Sequence, residues 1–126
     1  MSVIVDTSLW VDYFRGGDSS AKLDLLIDEN LVVINDLILA ELVPFLKIRN
    51  QQKIIHLLYN IKNLKLDIDW NEIIEFQCTC LKKGLNGIGI PDLIIAQNAN
   101  QYDCKIFARD NHFSLLNDCL GLDMTM

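Results

Sequence analysis

Val3-Ile4-Val5-Asp6 is a short apolar run, rich in β-branched residues, that ends in an acidic side chain. The run predicts a buried strand over Ser2–Val5. A second run of this kind, Ile106-Phe107-Ala108-Arg109-Asp110, predicts a strand over Lys105–Ala108 and again delivers an acid. Because ligand sites in open parallel sheets form beyond the carboxyl ends of the strands, we expect both carboxylates at one rim of a sheet.

Helical and strand patterns alternate between these two runs. The predicted helices are Ser8–Phe14, Ala21–Glu29, Asp36 (as N-cap) to about Leu46, Gln51–Ile61, Asp69 to about Lys83, and Asp92–Asn100. The other predicted strands are Leu31–Ile34, Leu64–Leu66 and an edge strand over Leu122–Met124. Pro44 is expected to kink or break the third helix, and His112 is expected in a loop. The alternation predicts one α/β domain over residues 1–126, with a mostly parallel central sheet of four to five strands flanked by helices.

Composition favours a globular protein with one modest core. The chain has 126 residues, of which 51% are hydrophobic, and its apolar runs are far shorter than the ~18 residues that a membrane span needs. No signal peptide is recognisable at the N-terminus. We therefore expect a cytoplasmic protein without membrane association. The four cysteines lack the usual zinc spacings and are expected to be free thiols.

Charge is divided unevenly along the chain. The net charge of −6 is the sum of −6 over residues 1–46, +5 over residues 47–66 and −5 over residues 67–126. The middle block contains five basic and no acidic side chains. A uniformly basic nucleic-acid binder is therefore excluded, whereas one local basic surface is not.

Two further acids stand in informative surroundings. Glu41 lies within Leu37–Val43, a stretch with no other polar side chain, and should be desolvated unless something compensates its charge. A buried Lys or Arg partner and a cation shared with other acids are the two alternatives. Asp92 opens a predicted helix, where a lone acid can simply favour the helix dipole. Together with Asp6, Glu41 and Asp110, however, it supplies a fourth oxygen ligand.

The ordered set of four acids resembles the PIN-domain ribonucleases, particularly the VapC-type toxins of bacterial toxin–antitoxin pairs. The resemblance rests on four segments: Asp6-Thr7-Ser8-Leu9-Trp10-Val11-Asp12-Tyr13-Phe14-Arg15-Gly16, Ala40-Glu41-Leu42, Pro91-Asp92-Leu93-Ile94-Ile95-Ala96 and Ala108-Arg109-Asp110-Asn111-His112-Phe113. No single segment is specific, but their order and spacing cover essentially the whole chain.

The resemblance implies a function and a set of site residues. Catalysis and metal binding would fall to Asp6, Glu41, Asp92 and Asp110. Ser8 and Arg109 would contact substrate, and Asn111 would contact the metal-binding residues without binding the metal itself. An all-oxygen donor set suits Mg²⁺, for which Mn²⁺ can substitute. The implied activity is endonucleolytic hydrolysis of RNA by water, leaving a 5′-phosphate and a 3′-hydroxyl. The implied partners are a small antitoxin protein and, in a homodimer, a second copy of the chain.

One alternative function stays open beside this interpretation, and two other enzyme or signalling classes do not fit the sequence. The family often has Thr or Ser where this chain has Ala108, so a catalytically weak PIN-like protein-binding module is the alternative function. A haloacid-dehalogenase-type phosphatase would need an acid in place of Ser8, and a receiver domain would need an acidic pair after the first strand. Lys47, Arg49 and Lys53 follow the predicted helix that carries Glu41, and we expect them to contact the RNA backbone. The competing interpretation of this basic stretch is a solvated helix face.

Overall fold

The computed structural model describes all residues 1–126 as an alternation of strands and helices. The strands are β1 (Val3–Val5), β2 (Val32–Ile34), β3 (Lys62–Asn63) and β4 (Lys105–Phe107). The helices are α1 (Thr7–Phe14), α2 (Ser20–Asp28), α3 (Asp36–Ile48), α4 (Gln52–Asn60), α5 (Trp70–Lys82), α6 (Ile90–Gln101) and α7 (His112–Leu120).

The four strands form one parallel sheet in the order β3-β2-β1-β4. Val3 pairs with Val32 on one side of β1, and Val5 pairs with Phe107 on the other. The carboxyl ends of β1 and β4 therefore lie side by side, which brings the acids that follow these strands to the same rim. The predicted α/β fold, a parallel sheet flanked by helices, is confirmed.

Two predicted strands differ from the observed ones. The third strand is Lys62–Asn63 rather than Leu64–Leu66; the apolar signal comes from Leu64, which is buried directly after the strand and donates its N–H to the Ile34 carbonyl at 2.7 Å. The predicted edge strand over Leu122–Met124 is reduced to a single bridge between Thr125 and Ile106. Leu64 and Met124 are the buried residues of these two segments, and their burial explains the apolar signal in the sequence.

Helix α3 departs from prediction at both ends. Its N-cap is Asn35 rather than Asp36, because the Asn35 side chain accepts a hydrogen bond from the Ile38 N–H at 2.9 Å. The helix also continues through Pro44 to Ile48. Pro44 cannot donate to the Ala40 carbonyl, but both residues are exposed, so water can serve that carbonyl. The expected break at Pro44 is therefore wrong.

Helix α7 is absent from the sequence prediction, which left His112 in a loop. Phe113 and Leu116 are buried on its inner face, and Gly121 ends it in the left-handed conformation, with φ of 67°. The spacing of Phe113 and Leu116 is the helical signal that the sequence analysis overlooked.

One hydrophobic core holds these elements together. The buried apolar side chains form a single cluster, in which the Trp10 ring stacks on Phe14 and meets Tyr13 edge-on, with ring centroids 5.7 and 5.9 Å apart. Helix α5 packs with α6 and α7, and α3 packs with α1 and α4. No helix has the length and apolar character required to cross a membrane.

Candidate active site

Asp6 lies at the centre of the rim, directly after β1. Its backbone N–H bonds to the Phe107 carbonyl at 3.0 Å, which fixes the end of β1 against β4. Only 7% of the residue is exposed, and Oδ2 accepts a hydrogen bond from the Ser8 hydroxyl at 2.9 Å. Burial raises the pKa of Asp6; hydrogen bonds from Ser8 and Thr7 oppose the rise, and repulsion from Asp110 and Asp92 adds to it. Asp6 is thus a desolvated carboxylate with two acidic neighbours.

Asp92 and Asp110 approach this rim from α6 and from the turn after β4. Asp92, in the first turn of α6, accepts the Gly89 N–H at 3.3 Å. Asp110 accepts the His112 backbone N–H at 3.0 Å. The His112 ring connects the two acids, because its Nδ1 is 3.3 Å from Oδ2 of Asp92 and 3.8 Å from Oδ1 of Asp110. His112 is therefore a site residue, and its position two residues after Asp110 was the only sequence signal for it.

Glu41 reaches the rim through a hydroxyl group. Its Oε1 accepts a hydrogen bond from the Thr7 hydroxyl at 2.8 Å, and Thr7 is the neighbour of Asp6 in the chain. The expectation that Glu41 is desolvated is wrong, because Glu41 is exposed. Its apolar neighbours in sequence, such as Leu39 and Leu42, lie on the buried side of α3. An apolar stretch on a helix includes both faces, so sequence neighbours do not determine burial.

The donor chemistry of this rim fits a hard divalent cation. All the acids offer carboxylate oxygens, which such cations prefer, and the charge on Asp6 is disfavoured both by burial and by its neighbours. A cation would offset both effects. In the present side-chain positions, however, no group of three or more His, Cys, Asp or Glu side chains is close enough to hold a metal ion.

Arg109 is held beside the acids by an ion pair that the sequence analysis missed. Its Nη1 lies 2.6 Å from Oδ1 of Asp12 in α1. The Asp12 side chain is 8% exposed and that of Arg109 is 60% exposed, so a buried anion anchors a cation that still faces solvent. Gly17 permits this arrangement, because a Cβ at that position would overlap the Asp12 carboxylate. The sequence offered no signal for this ion pair, because the burial of Asp12 on α1 arises from tertiary packing.

The remaining predicted contact residues lie at the surface. Lys47, Arg49 and Lys53 are all exposed around the corner between α3 and α4, and the Arg49 guanidinium sits 4.3 Å from the centre of the Phe45 ring. Asn111 is exposed at the N-cap of α7 and makes no capping hydrogen bond through its side chain. Neither group makes a hydrogen bond or an ion pair with the four acids.

Comparison with known proteins identifies the class of this fold. The sequence matches the PIN domain family over residues 3–118, a segment that includes all four acids. The chain therefore belongs to the PIN domain family. PIN domains are generally nucleases and usually depend on a divalent metal, and the family suggests RNA binding. A search of curated proteins found no match.

Proposed function

We propose that the chain is a Mg²⁺-dependent endoribonuclease that hydrolyses phosphodiester bonds in RNA and acts as the toxin of a type II toxin–antitoxin system. The observation that carries the proposal is the buried Asp6 carboxylate at the end of β1, close enough to Asp92 and Asp110 for their charges to raise its pKa. A buried carboxylate whose pKa is raised by burial and by neighbouring acids is typical of a functional site.

Each site residue has a proposed role. Asp6, Glu41, Asp92 and Asp110 hold Mg²⁺ or Mn²⁺, and Ser8 orients Asp6 through its hydrogen bond to Oδ2. When bound, the metal supplies charge stabilisation at phosphate oxygens and lowers the pKa of water. Arg109 is a substrate-binding cation whose guanidinium is positioned by Asp12. Asn111 is exposed next to Asp110 and keeps its proposed supporting role, although its side chain bonds neither α7 nor the acids.

The test uses two charge-neutralising variants, Asp6→Asn and Asp92→Asn. Both should reduce RNA cleavage in Mn²⁺ by at least about 100-fold, because each loses a charged ligand without losing a core contact. Both should also show a smaller rise in melting temperature on addition of Mn²⁺ than the unmodified protein shows. Asp118→Asn, an exposed substitution on α7, is the matched control and should behave as wild type. Near-normal cleavage by both site variants would contradict the assignment.

A catalytically weak PIN-like module that binds a protein partner is the second candidate, and Ala108 is the feature that favours it. The assay that separates the two compares RNA cleavage in Mn²⁺ with cleavage in EDTA. Cleavage that EDTA abolishes supports the nuclease. Cleavage that is absent from the wild type and appears in Ala108→Thr supports the weak module.

The proposed toxin role requires two protein partners, a second copy of the chain and an antitoxin. We infer that residues 1–126 act as one domain in the cytoplasm, as a homodimer that a small antitoxin protein inhibits. Induced expression should arrest growth and create new RNA 5′ ends that sequencing can map, and co-expression of the antitoxin should prevent both effects. Growth arrest that persists in Asp6→Asn would argue against RNA cleavage as its cause.

A further inference from the structure

Two of the four cysteines lie next to each other although they are distant in sequence. The Sγ atoms of Cys80 in α5 and Cys119 in α7 are 3.8 Å apart, and α5 packs against α7. Cys80 is fully buried and Cys119 is partly exposed. The other two cysteines differ from this pair, since Cys78 is exposed on α5 and Cys104 is buried just before β4. Only one pair of thiols is therefore placed to react within the molecule.

We propose that Cys80 and Cys119 form a reversible intramolecular disulfide when the protein meets a small disulfide oxidant such as glutathione disulfide. A disulfide bond is about 2.05 Å long, so the two sulfur atoms must approach by somewhat less than 2 Å. Rotation of the two side chains and a small shift of α7 against α5 can supply that movement. The proposal is independent of the proposed nuclease function.

The reaction proceeds by two thiol–disulfide exchanges. The Cys119 thiolate attacks one sulfur of glutathione disulfide, forms a mixed disulfide and releases one glutathione thiolate. Cys80 then gives up its proton, its sulfur attacks the Cys119 sulfur, and the second glutathione thiolate leaves. The two cysteines together lose two electrons and two protons, and one glutathione disulfide becomes two glutathione thiols.

The surroundings of the pair set the order of these steps. Cys119 is the residue that a dissolved oxidant can reach, because Cys80 has no exposed surface. Burial, together with the hydrogen bond and the charge of Cys119, raises the pKa of Cys80 to about 11. Cys80 is therefore a poor initial nucleophile and a suitable second one, since the mixed disulfide on Cys119 is formed beside it.

The bond would covalently link two segments that otherwise associate by packing and by the hydrogen bond that Lys83 Nζ donates to the Cys119 carbonyl at 2.8 Å. It closes a loop from residue 80 to residue 119 and fixes α7, whose first residue, His112, contacts Asp92 and Asp110. A loop of this length restricts the unfolded chain strongly. We therefore expect the melting temperature of the oxidised protein to exceed that of the reduced protein by about 5–15 °C.

The experiment oxidises the full chain with glutathione disulfide and follows its thiols. The proposal expects that two of the four thiols disappear, that the intact mass falls by two hydrogen atoms, and that peptide mapping finds Cys80 linked to Cys119. Dithiothreitol should restore all four thiols and the lower melting temperature. Four free thiols after oxidation, or a stable glutathione adduct on Cys119 without the cross-link, would overturn the proposal.

Variants keep the test independent of folding. Cys119→Ser should abolish both the cross-link and the rise in melting temperature. It is preferred to Cys80→Ser because Cys119 is partly exposed, whereas a substitution at the fully buried Cys80 changes the core. Cys78→Ser is the matched control on α5 and should form the cross-link as wild type does. A rise in melting temperature that persists in Cys119→Ser would show that another reaction stabilises the protein, and would contradict the proposal.

Discussion

The negative charge of the Asp6 carboxylate is electrostatically unfavourable in the folded protein. Burial is the largest cause of its raised pKa, and repulsion from Asp110 and Asp92 is smaller. The sequence predicted that acids meet at one rim of the sheet, and the structure adds that burial of Asp6 raises its pKa more than repulsion between the acids does. The residue is thus unfavourable for stability in its ionised form, and that dependence on ionisation can be measured.

The Asp6 pKa predicts how stability changes with pH. In the unfolded chain the group titrates near its ordinary value of 3.8, and in the folded chain it titrates at a higher pH. Between these two values the folded state holds the extra proton, so the Asp6 contribution to the free energy of unfolding falls as pH rises and levels off above the folded pKa. Asp6→Asn lacks this pH-dependent contribution, so its free energy of unfolding should rise relative to that of wild type as pH increases across this interval.

Thermal melts of wild type and Asp6→Asn without metal, from about pH 3 to about pH 8, measure this effect. The difference in melting temperature between variant and wild type should increase with pH and then remain constant. Asp118→Asn, exposed on α7, supplies the control and should show no such increase. A difference that decreases with rising pH would contradict the assigned direction of the Asp6 shift.

At the scale of secondary structure, Asn35 connects three segments. It caps α3 through Ile38, and its Nδ2 donates to Oδ1 of Asn98 in α6 at 3.0 Å. Asn98 in turn donates to the Lys65 carbonyl at 3.2 Å. Asn35 and Asn98 are both almost completely buried, so this network joins the end of β2 to α6 by direct hydrogen bonds in the protein interior.

Asn35→Ala should therefore destabilise the protein more than the loss of an ordinary cap would. Removal of the cap costs about 1 kcal/mol, and the unpaired Asn98 oxygen adds about 1–3 kcal/mol. Asp69→Ala is the control, because Asp69 caps α5 through the Glu72 N–H at 3.2 Å and is exposed. Urea titrations should give a larger loss for Asn35→Ala, and equal losses would show that the contact with Asn98 contributes nothing.

The comparison of elements shows what a single sequence can predict. Strands β1 and β2 were found because all their residues are buried and form continuous apolar runs. Strand β4, in which only Ile106 is buried, was found from the apolar run Ile106-Phe107-Ala108. Strand β3 was misplaced because Lys62 and Asn63 are exposed polar residues that pair only through their backbones. The break expected at Pro44 did not occur, since solvent can replace the missing hydrogen bond on the exposed side of α3.

Site residues were predictable where they follow a strand and hidden where they depend on tertiary contact. Asp6 and Asp110 are found at the carboxyl ends of adjacent strands, as the topology of a parallel sheet requires. The ion pair between Asp12 and Arg109 joins residues that are 97 positions apart, and no local pattern encodes such a pair.

Across the whole molecule, charge separates into acidic and basic regions. The proposed RNA cleavage requires that a protein of net charge −6 hold a polyanionic substrate, for which a local basic surface is needed. Residues 47–66 provide five positive charges and no negative ones, and Lys47, Arg49 and Lys53 are exposed. We therefore predict that these three residues contact the RNA backbone.

Replacement of Lys47, Arg49 and Lys53 by Gln should weaken RNA binding and make it less sensitive to salt. Each lost phosphate contact lowers the slope of log affinity against log salt concentration by ~0.7 for single-stranded RNA, which gives a change of about 2 for three contacts. Binding should be measured in an Asp6→Asn background, so that the RNA stays intact.

The matched control replaces Lys82, Lys83 and Lys105 by Gln and so removes the same net charge. All three lie outside the basic stretch 47–66: Lys82 and Lys83 are at the end of α5, and Lys105 begins β4. This control should change the slope less than the first triple variant does. Equal slopes for the two triple variants would assign the salt dependence to overall charge rather than to the stretch after α3.

The position of β1 between β2 and β4 has a consequence for the order in which the protein is made. The first acid of the rim is synthesised as residue 6, but its neighbouring strand β4 ends at residue 107 and its last acidic neighbour is residue 110. Nascent chains emerge N-terminal end first. A ribosome-bound chain that stops short of Asp110 therefore contains most of the fold but lacks the fourth acid of the rim. Translation itself thus delays assembly of the complete site until nearly the whole domain has been synthesised.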